Sequence, residues 1–215
     1  MSEMFDCADE TQREAGLAAA ATAVLKGDLV VLPTDTVYGI GADAFRPAAV
    51  TSLLAAKGRG RQMPPPVLVG SVRAATALVE ELGPYGQELI DEFWPGGLTV
   101  VCRANRSLKW DLGETRGTVA VRMPANEIAL ALLQQTGPMA VSSANLSGSP
   151  PATTAAAAMD QLGDSVSVYL DGGPCEADVP STIVDLTGDM PRLLRVGVLP
   201  IGKLREVAAV AMGPD

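Results

Sequence analysis

The sequence contains no histidine among its 215 residues. This absence excludes Ser-His-Asp and Cys-His catalysis, HExxH metal sites and histidine proton shuttles. A serine nucleophile is also disfavoured, because no histidine is available to act as its base. Any chemistry must therefore depend on cations, hydroxyls, carboxylates, backbone amides or a bound metal.

Aromatic residues and cysteines are also scarce. Aromatics make up 4% of the chain, so the stacking platforms of single-strand nucleic-acid binders are not expected. The cysteines at positions 7, 102 and 175 have no paired spacing, which is typical of reduced thiols in a cytosolic protein and excludes a zinc motif built from them. The polar N-terminus and the short apolar runs predict a cytoplasmic protein without a signal peptide or membrane span.

The remaining composition is that of an ordinary globular protein, with 47% hydrophobic and 19% charged residues. A chain of this length can bury a full core in one domain. We predict a single domain over residues 1–215, with its core at about 12–207. The net charge of −9 argues against broad electrostatic binding to nucleic acid.

Helical and strand patterns alternate along the chain, which predicts the α/β class. The sheet is expected to be twisted, largely parallel or mixed, and flanked by helices. The predicted helices cover 10–26, 47–57, 72–82, 84–93, 124–135, 154–162 and 200–211. The predicted strands cover 29–32, 67–69, 98–101, 119–121, 139–141, 166–170, 182–186 and 192–196.

Three cations separated by glycines form the stretch Lys57–Arg61. No acidic residue lies between Asp43 and Glu80, and that window carries Arg46, Lys57, Arg59, Arg61 and Arg73. A positive island in an acidic chain favours a focused anion site, and the glycines let the backbone approach a ligand. A helix C-terminus, where basic residues complement the helix dipole and glycine ends the helix, explains the stretch equally well by itself.

Two stretches imitate nucleotide-binding motifs. Gly39–Ala44 matches GxGxxA, but the acidic residue required about 20 positions later is missing, so we predict no nicotinamide site. Gly197–Lys203 resembles a phosphate loop, but Leu204 replaces the hydroxyl that would hold magnesium and Pro200 lacks an amide hydrogen. We interpret the second stretch as a turn before the last helix.

Polar residues follow several predicted strands. Ser142–Asn145 could meet phosphate or ribose oxygens, although such residues are more often found in ordinary turns. Arg122 and Arg195 each stand at the end of a strand, where a guanidinium can hold a carboxylate bidentately. With Lys57 and Arg59 they would form one cluster of cations, provided that the strands are neighbours.

Seven stretches in order resemble the YrdC-like family of threonylcarbamoyl-AMP synthases, in its short single-domain form. They are Pro33–Gly39, Lys57–Arg59, Phe93–Gly96, Val119–Pro124, Ser142–Gly148, Pro180–Asp185 and Leu193–Arg195. The resemblance covers residues 29 to about 202. It implies an α/β sheet curled around a deep, positively charged cavity.

The resemblance also implies a reaction, in which L-threonine, bicarbonate and ATP with Mg²⁺ give threonylcarbamoyl-AMP and pyrophosphate. A downstream threonylcarbamoyl transferase complex would then modify tRNA, with weak or no direct nucleic-acid binding by this chain and no protein-ligated metal. The implied threonine-binding residues are Thr34, Arg122 and Ser181. The implied ATP-binding residues are Lys57, Arg59, Thr118, Ser143, Asn145 and Arg195, with Lys57 and Arg59 as the catalytic charges.

The sequence departs from the family pattern after the Lys-x-Arg pair. Gly60 stands where proline is common, and Met63 precedes the prolines in place of a basic or polar residue. Some members place a histidine after this loop, whereas this chain reads Val67–Ser71. We leave Arg61, outside the family pair, as a gate or a solvated charge.

Two other functions stay open. A non-catalytic module could use the same cavity as a groove for double-stranded RNA. A carbamoyl-transfer maturation factor would use carbamoyl phosphate, and its ATP turnover would not depend on threonine.

Overall fold

A mixed β-sheet with helices on both faces organises the protein. The computed structural model describes residues 2–83, 85–175 and 177–213, and within them eleven strands form one sheet. The strands are β1 Glu3–Asp6, β2 Val30–Leu32, β3 Gly39–Asp43, β4 Val67–Leu68, β5 Leu98–Arg103, β6 Thr118–Arg122, β7 Met139–Ser143, β8 Val168–Asp171, β9 Thr182–Asp185, β10 Arg192–Arg195 and β11 Ala211–Met212. The helices are α1 Glu10–Lys26, α2 Pro47–Ala56, α3 Val72–Leu78, α4 Gly86–Phe93, α5 Glu127–Thr136, α6 Ala155–Leu162 and α7 Ile201–Val207.

The sheet order is β1-β8-β2-β3-β7-β4-β6-β5-β9-β10-β11. Within the described residues, five neighbouring pairs are parallel and five are antiparallel. The α/β prediction is therefore confirmed, with a mixed sheet rather than a largely parallel one. This order brings the ends of β3, β7, β6, β5, β9 and β10 close together, although these strands come from distant parts of the chain.

Helix starts follow the local capping chemistry. Asp9, Ser71, Asn126 and Thr154 each accept a hydrogen bond from the backbone amide three residues later, at the first turns of α1, α3, α5 and α6. Pro124 was predicted to open α5, but Asn126 caps the helix and it begins three residues after the proline. The helix begins after Asn126 because this side chain satisfies a backbone amide of the first turn, which a proline at position 124 does not do.

The C-terminus of α1 takes one cation of the acid-free window. Gly27 ends the helix with a φ of 96°, a conformation that glycine adopts without strain. The guanidinium of Arg46 donates to the carbonyl oxygens of Lys26 at 2.5 Å and Leu25 at 2.8 Å. Arg46 therefore stabilises the C-terminus of α1, where its charge complements the helix dipole, and is not placed at a ligand site.

Side chains alternate between the two faces of the sheet, and both faces are covered. On β2, Val30 and Leu32 pack in a cluster with residues of α1 and α5. Val31 points to the other face and packs with Leu53 of α2 and Ala158 of α6. This explains why the strand reads as a continuous apolar run.

The strand β3 was not predicted, because glycines are depleted in strands. Here the glycines permit close packing of β3 against side chains of β7. A Cβ atom at Gly39 would lie 2.6 Å from Val141, and one at Gly41 would lie 2.7 Å from Met139. The stretch that imitates GxGxxA is thus a strand, where a dinucleotide site would need a turn into a helix.

Other boundaries differ by a few residues. The predicted helix at 200–211 ends at Val207, and the short edge strand β11 follows it. The other edge strand, β1, was also missed, because four residues give too little periodicity to detect. Pro84, the first residue of the predicted 84–93 helix, lies outside the described residues. In the described ranges, no helix has the length and apolarity needed to cross a membrane.

Candidate active site

A cavity of about 410 Å³ opens among the ends of β3, β5, β6, β7, β9 and β10. Seven of the nine predicted site residues line it: Thr34, Arg59, Thr118, Arg122, Ser143, Ser181 and Arg195. The loop Pro64–Pro66 forms part of one wall. The segment in which the sequence departs from the family pattern therefore still contributes to the cavity. Lys57 and Asn145 are buried but are not among the lining residues.

Three arginines, Arg59, Arg122 and Arg195, share this cavity. Burial lowers the pKa of Arg195, and the positive charges of Arg122 and Arg59 lower it further. The three cations line the same cavity, which favours an anionic ligand there. Among the described residues, no aspartate or glutamate lines the cavity. The positive charge implied for the cavity stays a prediction, which these arginines support.

Arg122 is held at all three of its nitrogens and is only 5% exposed. Nε donates to the carbonyl oxygen of Gly96 at 2.9 Å, Nη1 to Thr36 Oγ1 at 2.9 Å and Nη2 to Asp35 Oδ1 at 2.6 Å. Burial lowers the pKa of Arg122, and the carboxylate of Asp35 counteracts this effect. A guanidinium has five N–H groups, so two remain for a ligand.

The hydroxyl of Thr34 is fully used within its own loop. It donates to the carbonyl oxygen of Val37 at 2.6 Å, accepts from the amide of Thr36 at 3.1 Å and lies 3.0 Å from Thr36 Oγ1. A hydroxyl has one proton and two lone pairs, so the Thr36 hydroxyl must be the donor in the last contact. Thr34 thus lines the cavity as predicted, but its hydroxyl has no position left for threonine in this conformation.

Arg59 is the opposite case, since its side chain is incompletely satisfied. Nη1 donates to Ser142 Oγ at 3.0 Å. In the described part of the chain, Arg59 Nε is the buried side-chain nitrogen or oxygen that has no hydrogen-bond partner. Buried polar groups almost always have partners, so this unpaired donor favours a ligand or a water beside Arg59.

Lys57, predicted as a catalytic charge at ATP, makes its contacts outside the cavity lining, and its role at ATP stays a prediction. Its ammonium donates to the carbonyl oxygens of Ser143 and Asn145, the latter at 2.6 Å, and lies 3.5 Å from Asn145 Oδ1. The side chain therefore points into the loop after β7 and does not face the cavity. Lys57 joins the end of α2 to the cavity wall that contains Ser143.

Asn145 also serves that loop. Its Nδ2 donates to the carbonyl oxygens of Leu146 at 2.9 Å and Ser149 at 2.7 Å. Its predicted contact with ATP stays a prediction, since the side chain lies behind the lining residues. The sequence could not reveal this, because the partners are backbone carbonyls whose positions depend on the fold.

The pH dependence of stability tests the burial of Lys57. Burial and the charge of Arg59 lower its pKa from 10.5 to about 8. Between these values the unfolded chain binds more protons at this lysine than the folded chain, so Lys57 makes stability rise with pH. We expect the free energy of unfolding of the wild type to increase relative to Lys57→Met between about pH 8 and about pH 10. A difference in urea unfolding that stays constant across this window would contradict the burial.

Thr99 belongs to the site but was missed. Arg195 donates to the carbonyl oxygen of Ser181 from Nε at 3.0 Å and from Nη2 at 2.8 Å, and Nη2 also lies 3.0 Å from Ser181 Oγ. That hydroxyl lies 2.8 Å from Thr99 Oγ1, and Thr99 is buried in the cavity wall. The sequence signal for this residue was its hydroxyl, which stands inside the otherwise apolar strand run at 98–101.

Arg61 has a partner in the loop between β5 and β6. Its Nη2 lies 2.7 and 3.0 Å from the two carboxylate oxygens of Asp111, and its carbonyl oxygen accepts from the amide of Glu114 at 2.8 Å. A Cβ atom at Gly113 would lie 2.6 Å from that carbonyl oxygen, so the two loops touch through their backbones. Arg61 thus joins the loop after α2 to the loop between β5 and β6, which supplies Leu112 to the cavity wall.

The comparisons with known proteins agree with this geometry. The sequence model of the Sua5/YciO/YrdC domain, described as telomere recombination, matches residues 22–197. The chain belongs to this family. Its predicted resemblance is therefore confirmed.

Several relatives carry the name of a single activity. A Mycobacterium tuberculosis protein, provisionally named threonylcarbamoyl-AMP synthase, is 55% identical over 210 residues, which are 98% of this chain and 97% of the relative. The Bacillus subtilis threonylcarbamoyl-AMP synthase is 35% identical over 213 residues, 97% of this chain and 60% of the relative. Relatives with this name occur in bacteria, archaea and eukaryotes.

The fold is shared with a solved Sua5 structure from Pyrococcus abyssi, which is complexed with L-threonine. The TM-score is 0.88 at 33% sequence identity, and the match covers 98% of this chain. This chain spans 63% of the Pyrococcus protein.

Proposed function

We propose that this protein is an L-threonylcarbamoyladenylate synthase, a nucleotidyltransferase that makes threonylcarbamoyl-AMP and pyrophosphate from L-threonine, bicarbonate and ATP. The observation that carries the proposal is the cavity with three arginines, one of which has a buried, unpaired Nε. The names of the relatives and the threonine complex of the Pyrococcus protein support it.

The reaction suits a chain without histidine. The threonine amine adds to bicarbonate with loss of water, or to CO₂ with loss of a proton, to give a carbamate. A carbamate oxygen then attacks the α-phosphorus of ATP while pyrophosphate leaves. Such a displacement depends on positioning and charge neutralisation more than on a protein nucleophile. The cavity arginines offer both, because guanidinium groups form fixed, charge-assisted hydrogen bonds with phosphate and carboxylate oxygens.

The site divides into two sides in this proposal. Arg122, with its two free N–H groups, and Ser181 hold the threonine. Arg59 and Arg195 neutralise the triphosphate, and the hydroxyls of Thr118 and Ser143 orient the nucleotide. Lys57 acts indirectly, by fixing the position of Ser143, and Asn145 does so by holding the same loop.

Magnesium fits the site as part of its nucleotide substrate. Within the described residues, no cluster of three potential His, Cys, Asp or Glu ligands is present, and no carboxylate lines the cavity. Mg²⁺ keeps several waters and is commonly bound through substrate phosphates. We therefore propose that it enters with ATP, where it would offset phosphate charge, and that lining hydroxyls such as Thr118 meet its water shell.

The product determines the next step. A carbamoyl-phosphoric mixed anhydride is an activated acyl donor, so a transferase that acts on tRNA is the consumer that we propose. The chain would release this product in the cytoplasm, with weak or no tRNA contact of its own. Its net charge of −9 supports this separation of roles.

The decisive experiment is pyrophosphate release from ATP with threonine and bicarbonate each omitted in turn. Dependence on both substrates is the expected result. ATP turnover that needs carbamoyl phosphate but not threonine would favour a carbamoyl-transfer factor instead. A salt-dependent shift of double-stranded RNA without nucleotide consumption would favour an RNA-binding module.

A further inference from the structure

Asp35 has no role in the proposed reaction, yet its carboxylate contacts the centre of the site. It lies in the loop between β2 and β3, and its side chain is 19% exposed. Oδ1 accepts from Arg122 Nη2 at 2.6 Å and from the backbone amide of Ala125 at 2.9 Å. One oxygen thus fixes both the guanidinium and the chain that follows β6.

The negative charge of Asp35 is paired with one particular cavity arginine, Arg122. Of the ion pairs in the described part of the chain, only the pair with Asp35 involves a cavity arginine. Arg59 and Arg195 contact uncharged oxygens of Ser142 and Ser181. Arg122 is the most buried of the three, and without Asp35 it would be an uncompensated buried charge near Arg195.

The three acceptors around Arg122 also fix the plane of its guanidinium. Gly96 holds Nε, Thr36 holds Nη1 and Asp35 holds Nη2. Gly96 is a backbone acceptor that no side-chain substitution removes, and Thr36 is shared with Thr34. Asp35 is therefore the contact whose loss would most directly free the fork to rotate.

We propose that Asp35 is a positioning residue for substrate recognition, which orients Arg122 so that its two free N–H groups meet the carboxylate of L-threonine. This rests on the proposed function, since it assigns the amino-acid side of that site to Arg122. Asp35 does not touch the substrate. It acts through the guanidinium.

The test is the dissociation constant for L-threonine, measured by calorimetry on Asp35→Ala and Asp35→Asn. We expect Asp35→Ala to weaken threonine binding about 30-fold, the loss typical when one partner of a buried charge pair is removed. In Asp35→Asn the amide oxygen can still accept both hydrogen bonds, so we expect a smaller loss of about three- to tenfold. ATP affinity should change by less than about twofold in both, because Arg59 and Arg195 keep their partners.

Glu80→Ala is the matched control. It removes the carboxylate that pairs with Arg106, and this ion pair lies outside the cavity. It should leave threonine binding unchanged. Unchanged threonine binding in Asp35→Asn and Asp35→Ala, or equal losses for threonine and ATP, would overturn the positioning role. If Asp35→Ala does not fold, the threonine-specific loss in Asp35→Asn decides the matter alone. Wild-type protein that binds threonine but releases no threonine-dependent pyrophosphate would overturn the proposed function and leave this role testable.

Discussion

Arg59→Ala is expected to lower kcat/KM for ATP by about 10²- to 10³-fold, or about 3–4 kcal/mol of transition-state stabilisation. The reason is the state of its guanidinium, which contacts Ser142 Oγ but leaves Nε buried and unpaired in the cavity wall. Burial lowers the pKa of Arg59, so the charge is weakly solvated. A weakly solvated cation stabilises developing phosphate charge more strongly than a solvated one. Steady-state pyrophosphate release measures the loss.

Arg73→Ala is the control for Arg59, because Arg73 is an exposed arginine from the same acid-free window. It should retain wild-type turnover. Near-wild-type turnover in Arg59→Ala would contradict the assignment of Arg59 to the triphosphate. Equal losses in the two variants would mean that the window acts through its general charge rather than through one side chain.

Arg122→Lys is expected to raise the KM for threonine by about 30- to 100-fold. A lysine ammonium cannot reach Gly96, Thr36 and Asp35 at once, whereas the guanidinium contacts all three. It also offers a point charge where a carboxylate needs a fork of two N–H groups. Because the substitution changes only the threonine side of the site, the KM for ATP should change much less.

The control for this variant is Arg106→Lys, which changes an exposed arginine paired with Glu80. Exposed pairs of this kind contribute little to stability, so both KM values should stay near wild type. An unchanged threonine KM in Arg122→Lys would show that the threonine carboxylate is bound elsewhere. Thermal unfolding of both variants separates lost binding from lost folding.

Much of the site could be predicted from residues at strand ends. Arg122 and Arg195 end apolar strand runs, and Arg59 follows a helix that ends near glycine. Local sequence signals therefore place all three at the ends of strands or helices. The sheet order then brings those ends together around one cavity. The order itself could not be derived, because strand neighbours depend on contacts between distant parts of the chain.

Two of the predicted site residues already have saturated hydrogen bonds, so their contacts with substrate stay predictions. Lys57 was assigned to the triphosphate, but three N–H groups meet oxygens in the loop after β7. Thr34 was assigned to threonine, but its hydroxyl is already fully used by Val37 and Thr36. A sequence shows which groups can bind, whereas only the fold shows which groups are still free to bind.

The positive island was also divided by the fold. Of its five cations, Arg59 alone lines the cavity within the described residues. Arg46 stabilises the end of α1, and Arg61 pairs with Asp111. The cavity instead recruits Arg122 and Arg195 from later strands. Local charge counting therefore located one of the three cavity arginines and could not find the other two.

In the proposed reaction, carbon from bicarbonate joins threonine to AMP in this cavity. The direct measurement is mass spectrometry of a reaction with wild-type protein, L-threonine, ATP, Mg²⁺ and ¹³C-bicarbonate. The expected product is an adenylate with the mass of threonylcarbamoyl-AMP that carries a single ¹³C label and is nearly absent with Arg59→Ala. Consumption of ATP without any labelled threonine adenylate would contradict the proposed reaction.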